Sequence, residues 1–184
     1  ERQGRSKFRT PFVATRTRIH TYKHTQVETL QRILQAYALR NPQVGYVQGL
    51  NIIVATCLRA RLSEEQSFWV LSVVVERWRE RYYELGLPGV KCDLRVTINL
   101  IERYLPSIYR SMKRIRADSC SVWLTSMLVT LFQNNLNEDA ARRFLDMMFV
   151  LGSQKNMIFG MILAFVSENA PIFSRAKNSE ELDI

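Results

Sequence analysis

A chain of 184 residues with 47% hydrophobic content is long enough to bury one sizeable core. Its 26 Lys and Arg outnumber 17 Asp and Glu, and the net charge of +9 suits an acidic partner, an anionic membrane surface or nucleic acid without choosing among them. Apolar runs such as residues 161–166 are far shorter than a bilayer span, and Cys57, Cys92 and Cys120 are too scattered for a CxxC motif or a disulfide framework, which fits the reducing cytoplasm.

In chain order, residues 1–24 are polar and basic without clean periodicity, and Thr10-Pro11-Phe12 reads as a turn. His20 and His24 are four apart with no third ligand nearby, so no metal site is expected there. Thr25 and Glu28 form a candidate capping box for a first helix carrying Leu30, Ile33, Leu34, Tyr37 and Ala38 at helical spacing. It should end near Asn41, because the residue before Pro42 disfavours the helical region. A second helix follows from Leu50 to about Arg61. Ser63 and Gln66 then offer a capping box for a third, with Phe68, Trp69, Leu71, Ser72, Val75 and Trp78.

Residues 86–89 read as a loop, after which Asp93 is a candidate cap for a fourth helix bearing Leu94, Ile98, Ile101 and Leu105. Pro106 can open a short helix through Met112, and residues 110–116 read as a basic turn, in the first instance a solvated surface and in the second a contact patch. Asp118 or Ser119 starts a helix with Trp123 and Met127. Asn137 caps the next, which ends at Gly152, and a last apolar helix spans about 156–166 before a turn at Pro171. No strand pattern competes. The expectation is an all-α, irregular multi-helix domain: a basic segment over 1–24, a helical core over 25–173 and a polar tail over 174–184.

Phosphate loops, dinucleotide loops, HExxH, paired CxxC motifs and serine elbows are all absent, so the chain carries no self-contained active site. The most informative stretch is residues 41–51. Pro42 and Gly45 break the backbone pattern, and Gln48 and Asn51 then fall beside apolar Val47, Leu50 and Ile52. A polar amide at the start of an apolar helix must be paired, sit at an exposed rim or serve a partner.

Tyr46-Val47-Gln48-Gly49-Leu50, with Asn41-Pro42 and Gly45 before it and Asn51 after it, resembles the strongest motif of the TBC domain. That is the GTPase-activating domain acting on Rab-family small GTPases. Leu105-Pro106, Val122-Trp123-Leu124 through Phe132, and Arg143-Phe144-Leu145-Asp146 resemble further segments of the same family, the last with leucine in place of tryptophan. The likeness covers residues 25–170. Arg9-Thr10 is the nearest match to the family's arginine motif, with Gln3 and Ser6 where isoleucine and aspartate are usual. Arg5, Arg16 and Arg18 lie in the same segment. Family members carry more helical sequence ahead of this motif than is present here.

The resemblance implies an activator of another protein's GTPase rather than an enzyme in its own right. Arg9 and Gln48 would be the catalytic residues, supplied in trans. Tyr46, Gly45, Gly49, Asn51, Arg143 and Asp146 would support the site. The chain would need no cofactor of its own, because GTP and Mg²⁺ are carried by the partner. The implied partner is a Rab-family small GTPase, with peripheral association with anionic membranes and no nucleic acid. The competing expectation is a binding module that keeps the TBC shape without strong activity.

Overall fold

A computed structural model describes residues 24–78, 81–115, 117–151 and 155–175. Among these residues the chain forms nine α-helices and no strand: α1 (His24–Arg40), α2 (Leu50–Arg59), α3 (Glu64–Val73), α4 (Pro88–Tyr104), α5 (Pro106–Ile115), α6 (Ala117–Thr130), α7 (Glu138–Leu151), α8 (Lys155–Glu168) and α9 (Ala170–Arg175). α3 runs straight into a π-helical turn, Val74–Trp78. The basic segment with Arg9, Gly152 and the tail beyond residue 175 lie outside the described residues.

The helix boundaries follow from local chemistry at several points. Ser63 closes the expected capping box: its Oγ accepts from the Gln66 amide at 3.1 Å, and the Gln66 side chain accepts from the Ser63 amide at 2.9 Å. Asn137 caps α7 by accepting from the Ala140 amide at 2.9 Å. Pro106 opens α5.

Two caps differ from the sequence-based expectation. α1 already includes His24, so Thr25 lies inside the helix rather than at its cap. α4 starts at Pro88, whose fixed φ suits the first helical position and whose missing N–H needs no partner there. Asp93 therefore falls within the helix, on the inner face with Val90, Thr97 and Ile101, and is only 2% exposed. The proline is preceded by Leu87 in the left-handed region, and a β-carbon on Gly89 would stand 2.8 Å from the Tyr82 ring. The helix start is thus pressed onto Tyr82.

α1, α2 and α3 pack on one another, while α4, α5, α8 and α9 form a second group. α6 touches both groups, through α2 on one side and α4 and α5 on the other. A single buried cluster runs through the two, from Ile33, Tyr37 and Leu50 to Leu124, Phe132 and Phe173. Two bidentate ion pairs fasten α1 to its neighbours. Arg32 holds Glu64 at 2.9 and 2.8 Å, and Arg40 holds Glu76 at 2.9 and 3.1 Å while lying 5.4 Å over the Trp69 ring. Both pairs are exposed, so they orient α1 more than they stabilise the fold.

Cys57 and Cys120 are buried and Cys92 is exposed. Burial pushes the Cys57 thiol up to about 12, which leaves almost no thiolate at neutral pH. A thiol reagent should therefore label Cys92 rapidly in the native protein and reach the other two only on unfolding. Labelling of Cys57 at the rate of Cys92 would contradict the packing of α2.

Candidate functional site

The chain leaves α1 through a corner built on Asn41. Its amide donates to the Tyr37 carbonyl at 2.9 Å, and its side-chain amide donates to the buried Tyr37 hydroxyl at 3.1 Å. Its own carbonyl then accepts from both Val44 and Gly45, at 3.2 and 2.9 Å. Gly45 takes φ +60, with nothing within 4 Å of where a β-carbon would sit. Glycine is needed there for its conformation, not for space.

The next turn carries Gln48. Leu50 donates to the Val47 carbonyl at 3.1 Å, closing a four-residue turn whose third position is Gly49 at φ +112. A turn of that kind calls for glycine at this position. Gly49 is also crowded: a β-carbon would lie 2.7 Å from Val129 Cγ1 and 3.4 Å from Thr130 Cγ2. Its amide donates to Asn51 Oδ1 at 3.1 Å, and its carbonyl accepts from Ile52 at 3.0 Å to begin α2. The turn is therefore held on both sides of Gln48. The Gln48 side chain is exposed and makes no hydrogen bond among the described residues.

The support under this turn is the C-terminal end of α6, and sequence reasoning missed it. The Val129 carbonyl accepts from the buried Tyr83 hydroxyl at 2.9 Å. Leu131 and Phe132 then take φ +50 and +62, both fully buried. Buried Gln133 donates to the Leu131 carbonyl at 3.0 Å and to the Ala141 carbonyl at 3.1 Å, fastening this end to α7. The available signal was a run of polar Thr130 and Gln133 around Leu131-Phe132, inside an otherwise apolar stretch.

Beside the turn, α1 and the loop enclose an open groove of about 410 Å³. Val27, Leu30, Leu34 and Ala38 line one side, and Tyr46 and Asn51, which flank the Gln48 turn, line the other. Tyr46 is 56% exposed. The structure thus gathers Gly45, Tyr46, Gln48, Gly49 and Asn51 into one loop at a groove. Arg143 and Asp146 are exposed on α7 and make no ion pair with each other, while Arg142 pairs with Asp139 on that helix at 3.0 Å. Arg9 lies outside the described residues. No group of three or more metal-ligating side chains occurs among the described residues.

The helical domain thus projects, from a glycine-fixed turn beside a groove, a glutamine that makes no hydrogen bond among the described residues. The Rab-GTPase-TBC domain family matches residues 10–173, and the chain belongs to that family. It is 30% identical over 159 residues to growth hormone-regulated TBC protein 1 of Rattus norvegicus, covering 84% of this chain and 53% of that protein. The Homo sapiens protein of the same name is 29% identical over 154 residues, covering 84% and 45%. GTPase-activating protein gyp2 of Schizosaccharomyces pombe is 32% identical over 146 residues, covering 79% of this chain and 20% of that protein. The chain thus spans about half, or less, of the relatives it matches.

Replacing Gly49 with alanine forces both a strained φ and a clash with Val129, and should cost about 2–4 kcal/mol in urea denaturation. Gly45→Ala strains only the backbone and should cost about 1 kcal/mol. Combining Gly49→Ala with Val129→Ala should give less than the sum of the two losses, since the second relieves the clash. Strict additivity would mean that the two residues do not press on each other.

Proposed function

We propose that this chain is a GTPase-activating domain for Rab-family small GTPases, acting in the cytoplasm in the control of vesicle traffic and recruited peripherally to endomembranes. What carries the reading is Gln48: an exposed amide without a partner among the described residues, on a turn fixed by Gly49 and Asn51, in a member of the TBC family. Hydrolysis of GTP builds charge on the transferring phosphoryl oxygens and needs an oriented water. An amide both donates and accepts, so Gln48 would hold the attacking water while bonding to the partner. Arg9 would bring a guanidinium against the phosphoryl oxygens and neutralise the developing charge. GTP and Mg²⁺ would stay with the GTPase.

A second reading has its own observation. Gln3 and Ser6 occupy the places where the family motif has isoleucine and aspartate, and a carboxylate there would help to orient the arginine. Under that reading the chain binds a GTPase without accelerating it.

Single-turnover hydrolysis with a panel of GTP-loaded Rab proteins separates the two. The expected result is acceleration of at least one member. Gln48→Ala should lower it about 100- to 1,000-fold and Arg9→Ala about 1,000-fold or more, with the melting temperature of Gln48→Ala unchanged because the side chain is exposed. Binding without acceleration across the panel selects the second reading. Loss in Arg16→Ala or Arg18→Ala, with Arg9→Ala active, moves the arginine to another position.

A further inference from the structure

We infer that the outer face of α5, with the end of α4, docks on an anionic phospholipid membrane. This assigns a particular face to the peripheral recruitment proposed above. α5 divides cleanly. Ile108, Met112 and Ile115 are buried, while Arg110, Lys113 and Arg114 are exposed along the opposite side. Arg103 and Tyr104, both exposed, lie at the end of α4, immediately before α5. The acidic residues of α4 and α5 are Asp93, which is buried, and Glu102. Arg103, Arg110 and Lys113 thus face solvent with Glu102 as the exposed carboxylate of these two helices, a basic surplus of the kind drawn to an anionic leaflet.

Details of the face favour a lipid surface over other polyanions. The Lys113 ammonium lies 4.8 Å over the Tyr109 ring, and the Arg103 guanidinium lies 5.7 Å over the Tyr104 ring. Tyrosine rings of this kind sit well at a membrane–water interface. With their faces already covered by cations, they are poorly placed to stack on nucleic-acid bases. Lys113 and Tyr109 also border a small cleft of about 80 Å³ with apolar walls from Ile98, Ile101, Met112 and Leu124. It sets apolar surface beside a cation, the juxtaposition found at the boundary of lipid head groups and tails. α5 packs on α4, α6 and α9, whereas the Gln48 turn is framed by α1, α2 and the end of α6. Membrane contact through α5 leaves that turn open to a partner.

Co-sedimentation of the 184-residue chain with phosphatidylcholine vesicles, with and without about 30% phosphatidylserine, tests this. The chain should partition onto the serine-containing vesicles alone, and raising salt from about 0.1 to 0.5 M should release it. Arg110→Gln with Lys113→Gln should weaken partitioning about thirtyfold. Arg61→Gln with Arg77→Gln removes the same charge from other exposed sites and should change it less than about threefold. All four side chains are exposed, so both double variants should keep the wild-type melting temperature. Equal weakening by the two pairs, equal binding to neutral vesicles, or binding to a DNA duplex or an acidic peptide without vesicle partitioning would each overturn the inference. The measurement contains no GTPase: partitioning by a chain that accelerates none upholds this inference and rejects the activity, and the converse result does the opposite.

Discussion

The contact between Gly49 and Val129 is the constraint on which the candidate site depends. A β-carbon at Gly49 would lie 2.7 Å from a Val129 methyl group, closer than packed carbon atoms approach. The loop that carries Gln48 can lie flat on α6 only because one residue has no side chain. The same residue supplies the φ of +112 that lets the chain turn directly into α2. Conformation and close approach thus converge on a single position, next to the residue that the site presents.

That contact would be of little use if the end of α6 could yield. The structure fixes it by several routes. Tyr83 caps the Val129 carbonyl from a loop 46 residues earlier in the chain, and Gln133 bridges the carbonyls of Leu131 and Ala141. Leu131 and Phe132 take left-handed conformations that cost on the order of 1–2 kcal/mol each for residues with side chains. Burial of both side chains, with Phe132 edge-on to Phe144 at 5.1 Å, offsets that cost. Strain and packing are therefore concentrated under the glutamine turn.

What could be read in the sequence was what depends on near neighbours. The Ser63–Gln66 capping box, the Asn137 cap and the Pro106 start each involve residues within one helical turn of each other, so residue type and spacing suffice. The cap assigned to Asp93 failed because a second local signal, Pro88, opens the helix earlier and carries Asp93 to the inner face. Gly45 was visible as a break in pattern and Gly49 through the family motif, but the two differ physically: Gly45 has open space around it and Gly49 has none. That difference arises from Val129, eighty residues further on, and no local pattern holds it. The π-helical turn at Val74–Trp78 and the buried left-handed pair at Leu131-Phe132 escaped for the same reason.

The Gln48 side chain, exposed and without a hydrogen bond among the described residues, has an energetic consequence of its own. Its backbone is held by the turn, so a partner need not order the loop. Its side-chain torsions remain free, and immobilising a glutamine costs on the order of 1–2 kcal/mol of rotamer entropy. No hydrogen bond to the described residues has to be broken in exchange. The loop is therefore rigid up to its Cα and loose beyond it. Most of the ordering is built into folding, and a small remainder falls due only when a complementary surface closes over the amide.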